Sequence, residues 1–482
     1  MFGFWKDIPV LGSFSLAIIV LVGSGIYFTL RLGFVQIRQF MTGVRTLATR
    51  RSIHTGISPL AAFLLSTAMR VGPGNMIGVT GAIAAGGPGA LFWMWISAFF
   101  GMATAFTEGT LAQIFKEKRG DNFVGGLPFY ARRLCGNKAW VGVALSALYI
   151  FYALMCLPAQ GLNVITSLGS IVGLVGGEEI PLQSTFYYVM SILLLVFITF
   201  MAFGGIKRIS RWADILVPVM AVIYIGTAIL LILTNLGSVP YFFHAVFAGA
   251  FKPEAVFGGV LGTALLQGVK RGLMSNEAGQ GTITMAAASA EAHHPCEQGI
   301  ISALGVFLDT HVICTRTGII IIMAHQWVLN PEEWKAAGTY PKFLLSIHAL
   351  TPDLLQTFVM VMVSICFCLF AYTCVMGFVT FSEISGNRIS SSTSFITVLR
   401  LLCVFVTAFG IACSIAGYDL SNLWAFSDLA NIIMVYCNVP MLYLGFRYVR
   451  KAAAHYAKND GTPFTSETIG MKVDYWDERK DD

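Results

Sequence analysis

The stretch 66-STAMRVGPGNMIGV-79 decides the fold. It lies in an apolar run long enough to cross a bilayer, yet it holds Arg70 and, just after it, the sequence Gly72-Pro73-Gly74-Asn75. Pro73 lacks an N–H and disfavours helix at Gly72, and the two glycines loosen the backbone further. Non-helical backbone at membrane depth survives only where it lines a cavity or is buried in protein. A guanidinium there costs about 2.5–3.5 kcal/mol on an insertion scale, so it faces a cavity or a partner. The break and the charge together predict a polar cavity within the membrane.

The rest of the chain has the composition of a membrane protein. It has 482 residues, 56% hydrophobic and 12% charged, with a mean hydropathy of +0.73. Soluble domains carry roughly 25% charged residues. Apolar runs of about 20 residues recur, each able to span a core about 30 Å thick. They are too long and too uniformly apolar for barrel strands, which predicts an all-α polytopic protein with one integrated domain over residues 1–482. The net charge of +6 sits mostly in loops; it reads as topology, with the lipid bilayer and not nucleic acid as partner. The first run has no A-x-A cleavage site and is not read as a removable signal peptide. The ten cysteines lie mostly inside spans without a C-x-x-C pair, as buried free thiols do. His293 and His294 beside Cys296 sit at a span end, and no metal centre is expected of them.

Eleven spans are predicted, near 11–32, 57–83, 88–115, 139–172, 184–204, 213–235, 255–289, 297–326, 353–383, 394–417 and 422–446. Arginines 31, 38, 45, 50 and 51, the "KEKRGD" loop, "KRISR" and the exit "RYVRK" all fall on one side if each run crosses once. The positive-inside rule makes that side the cytoplasm, with the N-terminus outside and 447–482 a cytoplasmic tail.

A second break, 270-KRGLMSNEAGQG-281, interrupts the seventh span, five spans after the first. With the N-terminal span at 11–34 set aside, each break opens a five-span half, 57–235 and 255–446. Five is odd, so the halves have opposite orientation: two inverted repeats with two discontinuous helices. That is a transporter plan, with substrate and ions held at the breaks. Free N–H groups at a half-helix start suit a carboxylate, and free carbonyls suit a cation. A pore would need a polar stripe along several helices, whereas polar groups here concentrate at the breaks. No Ser-His-Asp set, H-E-x-x-H or paired catalytic carboxylates point to an enzyme.

The motifs carry a resemblance. "GGPGALFWMWISAFFG" at 86–101 is similar to the signature of the alanine/glycine:cation symporter family. "GGIKRI" at 204–209, "RGLMSNEAGQG" at 271–281, "HPCEQGIISALGVFLDT" at 294–310 and "WAFSDLANIIM" at 424–434 resemble that family in its order. The resemblance spans nearly the whole chain. It implies secondary transport of small amino acids, usually coupled to sodium, on a leucine-transporter-like fold, with no cofactor. It leaves the individual amino acid and the oligomeric state open. Carried over, it places Gly72, Gly74, Asn75, Gln160, Ser275, Asn276, Gly279 and Trp424 at the substrate. Gln160 reads equally as a helix-packing hydrogen bond, and Trp424 as an interfacial anchor. The cation position maps onto Val71, Asn75, Thr373 and Cys374, with Arg70 beside them as part of the site or its substitute. Glu108, Glu277 and Asp309 match family acids and read as structural or coupling charges.

Four positions depart from the family pattern: Arg70, Pro73, Arg316 and Cys374. Cysteine is a poor ligand for a hard cation. Arg70 has three readings: a fixed charge replacing a sodium, a second-carboxylate site shared with Arg316, or a helix-pairing partner of Glu108, Asp309 or Glu277. The first two would make the protein a sodium-independent or weakly sodium-dependent amino-acid exchanger or uniporter, or one taking an acidic substrate.

Overall fold

In this computed structural model the structure describes residues 8, 16–49, 55–178, 180–251, 263–418, 421–458 and 461–478, with the side chains of 421–425 and 474 outside that description. The chain is helical apart from a short antiparallel hairpin, β1 Glu117–Arg119 with β2 Asn122–Val124. Helices satisfy all but their terminal backbone groups within the segment, which lipid requires. The helices that shape the site are α1 (Leu16–Arg31), α2 (Pro59–Arg70), α3 (Val79–Gly86), α4 (Ala90–Ile114), α5 (Ala139–Gly176), α6 (Thr185–Ala202) and α7 (Gly205–Thr234). After them come α8 (Thr263–Asn276), α9 (Thr284–Ser289), α10 (Pro295–Val306), α11 (Thr315–Ala324), α12 (Gln356–Gly386), α13 (Thr393–Ile415) and α14 (Ser421–Lys458). Eight helices among the described residues are long and apolar enough to cross a membrane. The two broken helices contribute only shorter pieces.

Both breaks fall where the sequence places them. α2 stops at Arg70, and the chain resumes as a π-helical turn over Gly74–Gly78 that runs into α3. α8 stops at Asn276, and Glu277, Gly279 and Gly281 take left-handed backbone angles before α9 begins. A third irregularity was not expected: Phe307–Cys314 forms a π-helical stretch between α10 and α11. Such bulges often mark functional positions.

Three expected boundaries shift. "KRISR" lies inside α7, because Lys and Arg are good helix formers and Arg208 donates from Nη1 to the Phe200 carbonyl at 2.7 Å. The last helix continues to Lys458, well past 446, through an Ala-rich segment. "KEKRGD" folds into the hairpin. Of the seventh expected span, residues 255–262 lie outside the described residues, as do most residues before Leu16.

The two broken helices run antiparallel. At one end the chain entering α2 bonds the chain leaving α9: Ile57 N–H donates to Ser289 O at 3.2 Å and Glu291 N–H to Ile57 O at 2.9 Å. At the other end Gly86, closing α3, lies against Thr263 and Ala264 at the start of α8, where a Cβ would sit 3.0 Å from Thr263 O. The apolar core is split at the breaks. Met69 packs with Leu65, Phe106 and Phe381 in one cluster, whereas Val71 and Met76 pack with Val79, Tyr224 and Phe370 in another. Polar groups occupy the seam.

Candidate functional site

A cavity of about 130 Å³ opens at that seam. Gly72, Pro73 and Gly74 line it from the first break, and Ser275 and Glu277 from the second. Gln160 faces it from α5, Cys374 from α12, and Asp428 and Asn431 from α14. Five of the expected residues (Gly72, Gly74, Gln160, Ser275 and Cys374) therefore meet at one cavity, with Arg70 and Glu277 at its wall. Gln160 is almost fully buried, and its Oε1 has no hydrogen-bond partner among the described residues. A buried acceptor without a donor is costly, so a ligand donor there is favoured.

Beside the cavity Asn75 ties three elements together. Its Oδ1 accepts the Gly72 N–H at 2.9 Å, closing the break on itself. Its Nδ2 lies 2.6 Å from Asp309 Oδ1 and 3.2 Å from Ser275 Oγ. Thr310 Oγ1 donates to Asp309 Oδ2 at 2.9 Å. Asp309, on the π-helical stretch, is fully buried and has no basic side chain within salt-bridge distance among the described residues. The Asp309 carboxylate with the Ser275 and Thr310 hydroxyls gathers hard oxygen donors around one buried negative charge, and Asn75 holds them together through its Nδ2. Asp309, expected as a structural or coupling charge, stands at the centre of that oxygen cluster.

Other expected residues lie apart. Asn276 turns its side chain to Ala278 N–H (3.0 Å) and Thr310 (3.3 Å), away from the cavity. Gly279 faces α1, where a Cβ would overlap Leu21. Val71 is buried in the apolar core, and its N–H donates to Thr67 O at 2.8 Å. Thr373 donates to Phe370 O at 3.1 Å and faces the Met220 sulfur, so its hydroxyl is not turned to the break. Cys374 packs on Gly72, where a Cβ would sit 2.6 Å from its sulfur. The Trp424 side chain is outside the described residues.

Glu108 holds the second break open. Its carboxylate accepts Gly279 N–H at 3.0 Å, Gly281 N–H at 2.9 Å and Asn438 Nδ2 at 2.6 Å. Glu277 accepts the Thr282 hydroxyl. Arg70 forms none of the expected pairs with Glu108, Asp309 or Glu277. Its Nε donates to Asn276 O at 3.1 Å and its Nη1 to Ser302 O at 3.3 Å. Asn276 ends α8, so the guanidinium meets a helix C-terminus, where the dipole favours a cation. Arg316 does not share the cavity with Arg70. It is buried, with its Cζ 4.6 Å from the centre of the Tyr224 ring.

The sequence reading passed over Arg271 and Asp428, both on the cavity wall. Arg271 stands four residues before Ser275 on α8, hence on the same helix face, and that spacing was the available signal.

Comparison with known proteins agrees with this geometry. The amino-acid carrier protein AlsT of Bacillus subtilis is 34% identical over 91% of this chain and 89% of its own. The probable sodium/glutamine symporter GlnT of the same organism is 36% identical over 92% of this chain and 88% of its own. The crystal structure of MhsT in complex with L-phenylalanine shares the fold, with a TM-score of 0.62 at 15% identity over 89% of this chain and 95% of that one. The family model described as the sodium:alanine symporter family matches residues 7–467. A multi-pass helical bundle with two antiparallel broken helices and a polar seam is in keeping with that match, and the chain belongs to the sodium:alanine symporter family.

Proposed function

We propose that the protein is a secondary active transporter that moves a small, alanine-like amino acid together with sodium by alternating access. The observation that carries this reading is the cavity at the seam, with the buried Asp309–Asn75–Ser275 cluster against it. The family and the sodium/glutamine relative support sodium as the coupling ion and a neutral amino acid as substrate. The Asp309 carboxylate and the Ser275 and Thr310 hydroxyl oxygens hold the sodium, and Asn75 orients Asp309 and Ser275 through its Nδ2. Gly72 and Gly74 bring backbone close to the substrate, and the Gln160 Oε1 accepts from its ammonium group. Because sodium and substrate sites share Ser275, each favours the same closed arrangement of the two breaks, which is how binding of one raises affinity for the other.

The same reading organises the chain as eleven spans. One extra N-terminal helix precedes two inverted five-helix repeats, 57–235 and 255–446. The antiparallel course of the broken helices supports the inversion. Basic loops place the C-terminus in the cytoplasm and the N-terminus outside. Arg70 serves as a bridge between helix ends: both its hydrogen bonds go to backbone carbonyls, and the sodium cluster is built from other residues. Glu108 is likewise structural.

Uptake of labelled L-alanine into proteoliposomes tests the reading. An inward sodium gradient should drive accumulation, and Asp309→Asn should weaken sodium stimulation at least tenfold. Accumulation by Asp309→Asn with wild-type sodium dependence would sink the ion assignment.

A further inference from the structure

We propose that Arg271 anchors the carboxylate of the transported amino acid and is seated for that task in a groove made by Gly74 and Gly78. The inference rests on the transport reading above and names the residue that reads the charged end of the substrate.

Arg271 lines the cavity from α8, one helical turn before Ser275. Among the described residues it forms no hydrogen bond and no ion pair, and its Nε is buried without a partner. Arg70, the other guanidinium on this wall, has two carbonyl partners. The contrast separates a structural arginine from one with donors to spare. A guanidinium carries five N–H donors and stays charged, so at membrane depth it calls for an anion.

The backbone is shaped around it. Gly74 and Gly78 are four residues apart on one face of the first broken helix, and a Cβ at either would overlap the Arg271 guanidinium. No other residue type leaves that seat free. The groove fixes the planar group beside Gly74, at the mouth of the first break, where it can offer two parallel donors to a carboxylate. The acids that act on it are Asp428, across the cavity, and Asp309, on the cation side; the Cys314 thiol also lies near. Asp428 shares the cavity wall with Arg271, and an ion pair between the two is the competing account.

The probes are L-alanine and L-alaninamide, which lacks the carboxylate, each bound to the purified full-length protein in nanodiscs with saturating sodium. Arg271→Gln should weaken L-alanine at least tenfold while leaving alaninamide unchanged, so the preference between them collapses. Gly78→Ala, which displaces the guanidinium without removing it, should move the preference in the same direction, and Arg271→Lys should restore part of it. An unchanged preference in both Arg271→Gln and Gly78→Ala overturns the proposal. So does recovery of L-alanine affinity when Asp428→Asn is added to Arg271→Gln, because only an ion-pair role predicts that rescue. If wild type takes up no amino acid with sodium, the transport reading falls and this assignment falls with it. Wild-type transport combined with an unchanged preference removes this assignment alone.

Discussion

Arg70 sits where α2 stops, and its two hydrogen bonds end on Asn276 O and Ser302 O, more than two hundred residues away in sequence. Replacing it with methionine leaves the buried Asn276 carbonyl at the end of α8 unpaired, at roughly 1–3 kcal/mol, and removes a second donor from the Ser302 carbonyl inside α10. Arg70→Met should therefore lower the melting temperature in detergent, whereas Arg70→Lys should lose less, because a single ammonium can still reach a carbonyl. Equal melting temperatures for wild type and Arg70→Met would remove the bridging role. The exceptional position of this arginine was legible in the sequence, since a charge next to a Gly-Pro-Gly turn needs a polar environment. Its partners were not, because backbone carbonyls of distant segments leave no mark in residue type. The same limit applied to Thr373. Its hydroxyl was expected at a cation, but on a continuous helix it bonds back to Phe370 O, which costs no separate partner.

At the scale of elements, the second break depends on Glu108. The carboxylate takes two N–H groups of the unwound chain and one from Asn438. Glu108→Gln keeps the shape but turns one acceptor into a donor facing N–H groups. It should cost roughly 1.5–3 kcal/mol, the scale of a hydrogen bond to a charged group. Thermal unfolding checks this, and an unchanged melting curve would contradict the capping role. The breaks themselves could be read from glycine, proline and asparagine, which punctuate apolar runs. The π-helical stretch that carries Asp309 could not, since its residues form an ordinary apolar-polar mixture and only the local winding sets it apart.

The polar ends add a second test. The C-terminal segment folds back on the hairpin: Lys116 Nζ lies 3.9 Å from the Phe123 ring centre and 5.3 Å from that of Trp476, and the Trp476 indole donates to Gln113 O at 2.9 Å. Nearby, His294 Nδ1 accepts the Cys296 N–H at 3.1 Å, and His294 stacks on His455. Burial first, and then His455, push His294 down to about 3. An unfolded histidine titrates near ~6.5, so the unfolded chain binds the proton more readily. Stability from this group is complete above that pH and falls as the pH drops toward 3. The melting temperature should decline on acidification below about 6.5, less so in His294→Asn. An identical pH slope in the two proteins would show that His294 carries none of it.

Taken whole, the molecule places its charged groups along a seam between two apolar clusters, where two broken helices pass in opposite directions. The glycine-rich breaks inside two apolar runs made the seam legible, and the motif order pointed to the family. The sharing of Ser275 between the cavity and the Asp309 cluster was not legible, because it depends on how the two breaks face each other. That sharing is the physical basis proposed for coupling, and it can be measured as a flux. Proteoliposomes loaded without amino acid should take up radiolabelled sodium when L-alanine is added outside at zero membrane potential. Wild type should show alanine-driven sodium entry, and Asp309→Asn should lose it. Alanine uptake with no accompanying sodium movement in wild type would contradict the coupling at the seam.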